Sequence, residues 1–261
     1  MYQLLLRLEA DRDCAWERQY HRRLRGRLGR RLKRDGLKDY RETPRSWVTF
    51  SDLMPVGDDK HPGMDLSEGD EVHLLVGTPR TVIMEAIAND LQRHPRVEIG
   101  SMVFETRAAK PLKNDVGSPG SEGTLTTASG IIVDLRDSNT ESGPSKPVYW
   151  TERKHSVHDF RLELSTTIDR VLENETEDTE TVRPYFSDYD HLKSYAVKLR
   201  VSPKDAITVV ASKWDLHYHV RDEAHQEALN ALLGTGVGRR RSYGFGMLQT
   251  RDDAEAREVS A

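Results

Sequence analysis

The sequence predicts an α+β protein made of two tandem ferredoxin-like domains, with a glycine-rich loop near its C-terminus. Strand-like and helix-like segments alternate along a chain of 261 residues. A segment rich in glycine, proline and hydroxyl residues interrupts that pattern near the middle of the chain. The length is sufficient for two domains of ordinary size, each with its own apolar core.

The first domain, residues 1–107, begins with an apolar strand at about residues 2–9. A helix from about Cys14 to Arg34 follows, and we expect Gly26 and Gly29 to weaken or bend it. The apolar side chains of this helix recur at four-residue spacing, which predicts a buried stripe made of Trp16, Tyr20, Leu24, Leu28 and Leu32.

Strands near residues 47–53 and 71–76 come next. Thr78 and Pro79 then favour the start of a second helix. The apolar spacing of this helix predicts that it buries Ile83, Ala86, Ile87 and Leu91. A strand from Val97 to Phe104 completes the β-α-β-β-α-β order of a ferredoxin-like unit.

We interpret residues 108–128 as an interdomain linker and residues 129–250 as the second domain. The first strands of this domain are predicted at residues 131–135 and 148–150, and a helix from Phe160 to Leu172. The later part contains strands at residues 196–201 and 206–219, a helix at 222–233 with Gly234 as its C-cap, and a short strand at 245–249. The acidic segment 173–190 is expected to be a loop, and residues 251–261 form an acidic tail.

The composition argues against a membrane protein and against a secreted, disulfide-bonded protein. Apolar residues make up 36% and charged residues 31% of the chain, and no apolar run is as long as a membrane span. Cys14 is the single cysteine, which excludes an intramolecular disulfide and favours a reducing cytoplasm. Arg7 and Glu9 interrupt the apolar N-terminal stretch, which argues against a signal peptide.

The distribution of charge favours a polyanionic partner, although the net charge is −4. Residues 18–45 contain twelve Lys or Arg residues against three acidic ones. Local patches govern association with a polyanion more than the net charge does. The 28 arginines outnumber the 11 lysines, which suits planar recognition of phosphate. A solvated helix face is the alternative interpretation of the basic segment.

The glycine-rich loop, residues 234–246, carries three arginines framed by glycines. Glycine permits positive φ and a close backbone approach, and arginine adds bidentate phosphate contacts. We therefore expect the loop to hold a phosphate backbone. A flexible connection is the alternative. A nucleotide-cofactor loop is disfavoured because the order here is helix, loop, strand, without G-x-G-x-x-G or G-x-x-x-x-G-K-(S/T) spacing.

The loop reads G-V-G, five residues, G-F-G, and this pattern resembles the signature of the CRISPR-associated endoribonucleases that cut crRNA precursors (the Cas-six family of the RAMP superfamily). Residues 47–55, W-V-T-F-S-D-L-M-P, are similar to the F-x-F-S-(D/N)-L-x-P segment of that family. The resemblance implies a pair of ferredoxin-like domains and a metal-independent endoribonuclease without a cofactor. It also implies attack of a ribose 2′-OH on CRISPR repeat RNA, leaving a 2′,3′-cyclic phosphate and mature crRNA.

His21 is the predicted catalytic residue, with Tyr20 or Lys33 assisting, because the family places its histidine in or just after this helix. Histidine titrates near neutral pH, which suits proton transfer. His21 is offset from the apolar stripe, so we expect its imidazole at the helix edge, outside the core. If His21 does not carry out the proton transfer, His61 is a further candidate for that role. The predicted RNA-binding residues are Arg22, Arg23, Arg25, Gly236, Gly238, Arg239, Arg240, Arg241, Ser242, Tyr243, Gly244, Phe245 and Gly246.

Three alternatives remain open from the sequence. The first is a non-catalytic RAMP subunit that binds crRNA among other Cas proteins in an interference complex. The second is an unrelated ferredoxin-like regulator or small-molecule binder. The third concerns His217, His219 and His225, whose spacing a metal could use, although no further ligand completes a recognised metal site. His155 and His158 form a similarly incomplete pair.

Overall fold

The computed structural model describes residues 3–34, 48–57, 59–112, 114–135, 147–173, 182–202 and 205–252. Its first half contains one sheet covered on one face by two helices. The elements of this half are β1 (Gln3–Ala10), α1 (Tyr20–Arg34), β2 (Thr49–Phe50), β3 (Met54–Pro55), β4 (Glu71–Gly77), α2 (Thr81–Arg93), β5 (Arg96–Ile99) and β6 (Met102–Leu112).

The strand order of this sheet is β2-β4-β1-β6-β5, with β3 also paired to β4 and every pairing antiparallel. Alternate residues of β1 point toward the helices, so Leu4, Leu6 and Leu8 are buried in one core with α1 and α2. The predicted stripes of both helices lie in this core. A buried ion pair between Arg31 of α1 and Asp90 of α2 joins the helices at 2.5 Å.

The second half repeats the arrangement. Its elements are β7 (Glu122–Thr127), β8 (Asp134–Leu135), β9 (Val148–Tyr149), α3 (Val157–Leu172), β10 (Asp188–Arg200), β11 (Ala206–His219), α4 (Glu223–Thr235) and β12 (Leu248–Thr250). The order β10-β11-β7-β12 places the first and third long strands at the centre, as in the first sheet. β8 and β9 form a separate two-stranded sheet. The prediction of an α+β fold with two ferredoxin-like units is confirmed.

Several predicted elements need correction in the first half. The strand predicted from Val97 to Phe104 is a hairpin, because Gly100, at φ 71°, turns the chain between β5 and β6. α1 begins at Tyr20, not at Cys14, and it continues through Gly26 and Gly29. Packing of its apolar stripe outweighs the low helix propensity of these glycines.

The predicted linker and the first strand of the second unit also differ. β6 extends to Leu112 and β7 occupies residues 122–127, so both ends of segment 108–128 are strands. β7 is the central strand, whereas Ile131 forms only an isolated bridge to Ser212. The sequence did not predict β7, because Pro119, Gly120 and Gly123 in and before it favour a turn and Leu125 is its only large apolar residue. The domain boundaries themselves stay a prediction.

The C-terminal segments are shifted by a few residues. α4 passes through Gly234 and ends at Thr235, with Gly236 as its C-cap at φ 68°. The last strand starts at Leu248, not at Phe245. β10 starts at Asp188, inside the segment expected to be an acidic loop. Residues 174–181 of that segment and residues 253–261 of the tail lie outside the described residues.

The two units pack against each other through the face of the first sheet that the helices leave open. Leu5 and Leu75 from this face form a small apolar cluster with Ala128 and Met247 of the second half. Gln3 donates from its side-chain amide to the carbonyl oxygen of Leu233 at 2.8 Å. This contact places α4 and the loop after it beside β1, β2 and β4. None of the helices in the described ranges is long and apolar enough to cross a lipid bilayer.

Candidate active site

A cleft of about 520 Å³ lies where the two units meet. The N-terminal half contributes α1 and the connection from β2 to β3, and the C-terminal half contributes β10 and β11. The lining residues are Trp16, Arg18, Tyr20, His21, Asp52, Leu53, Met54, Pro62, Gly63, Tyr195 and Lys213. The cleft therefore combines an imidazole, a carboxylate, two phenols and two cations.

His21 lines this cleft and is only 4% exposed. The expectation that its imidazole projects from the helix edge is therefore wrong. The ring stacks on Tyr20, with 4.3 Å between ring centroids, and on Phe245 at 4.9 Å. Its Nδ1 lies 2.9 Å from the carbonyl oxygen of Tyr243. The glycine-rich loop folds over this side of α1 and buries the ring.

Burial lowers the pKa of His21 below its ordinary value. The charge of Asp52 and the hydrogen bond to Tyr243 act in the opposite direction and are the smaller effects. The imidazole is thus held in its neutral form at pH 7, which is the form able to accept a proton.

Asp52 lies at the centre of a polar network that joins the two units. Its Oδ1 accepts a hydrogen bond from the hydroxyl of Tyr20 at 3.1 Å. Its Oδ2 lies 3.5 Å from the hydroxyl of Tyr195 and 3.7 Å from Nζ of Lys213. The Tyr195 oxygen also accepts from the backbone N–H of Gly130 at 3.1 Å. Tyr20 and Asp52 belong to the first unit, and the other three residues to the second.

The two other predicted catalytic residues have different outcomes. Burial raises the pKa of Tyr20 well above its ordinary value, so its phenol stays protonated and acts as a hydrogen-bond donor to Asp52. Lys33 lies in the last turn of α1, and its side chain is outside the described residues. His61 is exposed, next to Pro62 and Gly63 of the cleft wall.

The glycine-rich loop is packed against the protein itself. Backbone N–H groups of Gly236, Val237, Arg239, Tyr243, Gly244 and Gly246 each donate to a backbone carbonyl at 2.8 or 2.9 Å. These donors are therefore already satisfied and are not directed at a ligand. The expectation of an open backbone cradle for phosphate is wrong for these six positions.

The glycines are required by close contacts within the fold. A Cβ on Gly244, at φ 83°, would stand 2.1 Å from the ring of Phe50. A Cβ on Gly246 would stand 1.8 Å from the carbonyl oxygen of Val237, and one on Gly238 would meet Ile131 at 2.7 Å. The loop is thus a buried junction between the units.

The arginines of the loop and of α1 face different surroundings. Arg239 lies 3.5 Å from Glu163, and Arg241 donates to the carbonyl oxygen of Thr235 at 3.1 Å. Arg240 is half-buried, in the left-handed region at φ 60°. On α1, Arg23 pairs with Glu17 at 3.2 Å, and the guanidinium of Arg25 lies 4.3 Å from the ring centroid of Tyr243. Arg22 and Ser242 are half-buried.

His217, His219 and His225, the histidines with the spacing of a metal site, contact neighbouring groups of the protein. His217 contacts Asp190 at 2.9 Å, and His219 contacts Glu122 at 3.2 Å. His225 contacts the carbonyl oxygen of Tyr185 at 3.0 Å. Within the described part of the chain, no three His, Cys, Asp or Glu residues are grouped as metal ligands.

Comparison with known proteins places this geometry in a family. The family model "CRISPR associated protein Cas6, C-terminal" matches residues 112–250. A CRISPR-associated endoribonuclease Cas6 of Haloferax mediterranei is 34% identical over 254 residues, which cover 93% of this chain and 91% of the relative. The chain belongs to the Cas6 family of CRISPR-associated endoribonucleases.

Solved structures agree with the Cas6 fold. A CRISPR-associated protein Cas6 superposes with a TM-score of 0.72 at 18% identity, covering 95% of this chain and 98% of the other. A RAMP protein described as binding different RNA substrates gives a TM-score of 0.69 at 19% identity, covering 96% and 99%. The family model and the Haloferax mediterranei relative confirm the resemblance inferred from the glycine-rich loop.

Sequence reasoning missed three polar residues of this Cas6-family cleft. Asp52 lies inside the segment that resembles the family motif, but nothing local marks it as part of a cleft. Tyr195 and Lys213 lie on strands that the alternation of the sequence predicts. The alternation does not show which face of these strands contacts the other unit. Their role depends on contacts between residues more than a hundred positions apart.

Proposed function

We propose that this chain binds CRISPR repeat RNA in the cleft between its two units and cuts one phosphodiester bond, releasing mature crRNA. In this mechanism the 2′-oxygen of the upstream ribose forms a bond to phosphorus, and the bond from phosphorus to the 5′-oxygen breaks. The products are a 2′,3′-cyclic phosphate and a 5′-hydroxyl. The nucleophile belongs to the substrate, so the proposed reaction requires no metal ion.

His21 would accept the proton of the 2′-OH through its neutral imidazole, and the departing 5′-oxygen would take up a proton from water. The observation that carries the proposal is the position of this imidazole, in the same cleft as Lys213 and Arg18. A general base needs its neutral form, and the pentacoordinate phosphorane needs nearby cations. Tyr20 would act through Asp52, since its hydroxyl donates to that carboxylate.

The arginines on α1 and in the loop would bind the flanking RNA backbone. Arg22, Arg25 and Arg240 lie near the junction where α1 contacts the loop. A basic surface next to the cleft would guide the strand toward His21. Association with other Cas proteins stays a prediction of the same proposal.

A non-catalytic subunit that binds crRNA is the competing function, and the burial of His21 is the observation that favours it. A base only 4% exposed must become accessible to the 2′-OH when RNA binds. Cleavage is therefore the property that has to be measured.

The decisive experiment incubates the purified protein with 5′-labelled repeat RNA in EDTA. We expect one cut. The 3′-terminal phosphate of the labelled product should resist removal by phosphatase until the cyclic phosphate is opened. Repeat RNA with a single 2′-deoxyribose at the scissile position should bind but stay intact. Binding of normal repeat RNA without any cut would support the non-catalytic function, and cleavage of the 2′-deoxy RNA would exclude the proposed nucleophile.

A further inference from the structure

The glycine-rich loop presents a carbonyl oxygen to the imidazole of His21. Nδ1 of His21 and the carbonyl oxygen of Tyr243 are 2.9 Å apart, although the residues are 222 positions apart in sequence. We propose that this loop is a positioning element for His21, which selects the tautomer of the imidazole and holds the ring in orientation. The inference rests on the proposed function, in which His21 is the base.

The chemistry of the contact determines the tautomer. A carbonyl oxygen can only accept a hydrogen bond, so Nδ1 must carry the hydrogen. In a neutral imidazole the other nitrogen, Nε2, then has the free lone pair. The loop therefore makes Nε2 the basic nitrogen.

The orientation of the ring is fixed as well. Tyr20 and Phe245 stack on it with interplanar angles of 23° and 18°. Two flat neighbours set the plane of the imidazole, and the hydrogen bond sets its rotation within that plane. One of the two neighbours and the hydrogen-bond acceptor both come from the loop, so the loop controls both degrees of freedom.

The loop can do this because the carbonyl of Tyr243 is itself held in place. Its backbone N–H donates to the carbonyl oxygen of Arg240 at 2.8 Å, and its ring lies under the guanidinium of Arg25. The next residue, Gly244, passes the ring of Phe50 in a conformation at φ 83° that leaves no space for a Cβ. A side chain at Gly244 would displace the carbonyl from Nδ1.

The test measures the tautomer directly. In protein labelled with ¹⁵N-histidine, long-range ¹H–¹⁵N correlation spectra distinguish the two neutral tautomers, and a His21→Gln variant assigns the signals. We expect His21 to be in the Nδ1–H form above pH 7. An Nε2–H form, or an even mixture, would overturn the inference while leaving the proposed reaction open.

A variant pair then links the tautomer to catalysis. Gly244→Ala should mix the tautomers and lower the single-turnover rate by about tenfold or more, with repeat-RNA affinity changed by less than about twofold. Gly69→Ala is the matched control, because Gly69 has a similar φ of 85° but open space around it, and it should change neither property. Equal rates in the two variants would overturn the inference.

A second variant covers the case in which Gly244→Ala does not fold. Phe245→Leu keeps an apolar side chain but removes one stacking partner of the imidazole, so ring order and single-turnover rate should fall together. An unchanged rate with a disordered ring signal would contradict the positioning role. Normal cleavage by His21→Ala would instead remove His21 from the proposed reaction altogether, which distinguishes the two failures.

Discussion

Nζ of Lys213 lies 3.7 Å from Oδ2 of Asp52, and this contact joins β11 of the second unit to the β2–β3 connection of the first. The same carboxylate accepts a hydrogen bond from the hydroxyl of Tyr20, the residue before His21 on α1. A cation and the proposed base therefore share one cleft because the two units dock. Charge on one unit can influence proton transfer on the other.

Replacing Lys213 should impair cleavage more than RNA binding. In Lys213→Met we expect a single-turnover rate reduced by about 10²-fold, the usual effect of losing one group that stabilises transition-state charge. Lys193→Met is the control, since Lys193 is exposed on the neighbouring strand directly opposite Lys213. Equal reductions in both variants would show that only overall positive charge matters.

The pH dependence of cleavage should report the burial of His21. Because burial lowers its pKa, the rate should be constant as pH falls to about 6.5, the ordinary value, and decline only below it. The charge of Asp52 raises this pKa, so Asp52→Asn should move the acid limb to still lower pH. A pH–rate profile of single-turnover cleavage measures both effects, and an acid limb moved upward by Asp52→Asn would contradict the assignment.

The same burial should make the fold sensitive to acid. Below pH of about 6.5 the unfolded chain binds a proton at this histidine, whereas the folded chain does not bind one until its lower pKa is reached. The free energy of unfolding should therefore decrease as pH falls through this window. In His21→Gln the decrease should be smaller, as urea titrations at pH 7.5 and 5.5 would show. Identical pH dependence in both proteins would mean that His21 is exposed.

The packed loop should make its glycines important for stability. Gly244→Ala combines left-handed strain of about 1–2 kcal/mol with overpacking of about 1–3 kcal/mol against Phe50. Gly69→Ala, at a similar φ but in open space, should lose only the strain. Urea unfolding measures both. Similar losses would place the loop outside the core.

The salt dependence of RNA binding should separate the three loop arginines. Each neutralised phosphate on single-stranded RNA contributes about 0.7 to the log–log slope. Arg240→Ala should lower the slope by about this amount. Arg239→Ala and Arg241→Ala should lower it less, because these side chains contact Glu163 and Thr235 in the protein. A slope unchanged by Arg240→Ala would direct the RNA path away from the loop.

The sequence by itself determined the class of fold, the family and the helix that carries the candidate base. The apolar periodicity of α1 and α2 predicts that each helix packs one face against a sheet. This pattern involves residues close together in the chain, so the sequence alone shows it. The sequence did not reveal β7, because this strand contains Gly123 and a single large apolar residue, Leu125, and is stabilised by pairing on both sides. It also suggested that Gly26 and Gly29 weaken or bend α1, whereas the helix is continuous from Tyr20 to Arg34.

Only the tertiary structure decided what the glycines of the loop contact and where the imidazole of His21 lies. The sequence shows that glycine is needed at Gly244 and Gly246, but not whether a ligand or the protein itself approaches it. The contacts with Phe50 and Val237 answer that question. The burial of His21, its hydrogen bond to Tyr243 and the cluster of Asp52, Tyr195 and Lys213 all arise from docking of the two units. Such contacts join residues remote in sequence, and no local periodicity or spacing encodes them.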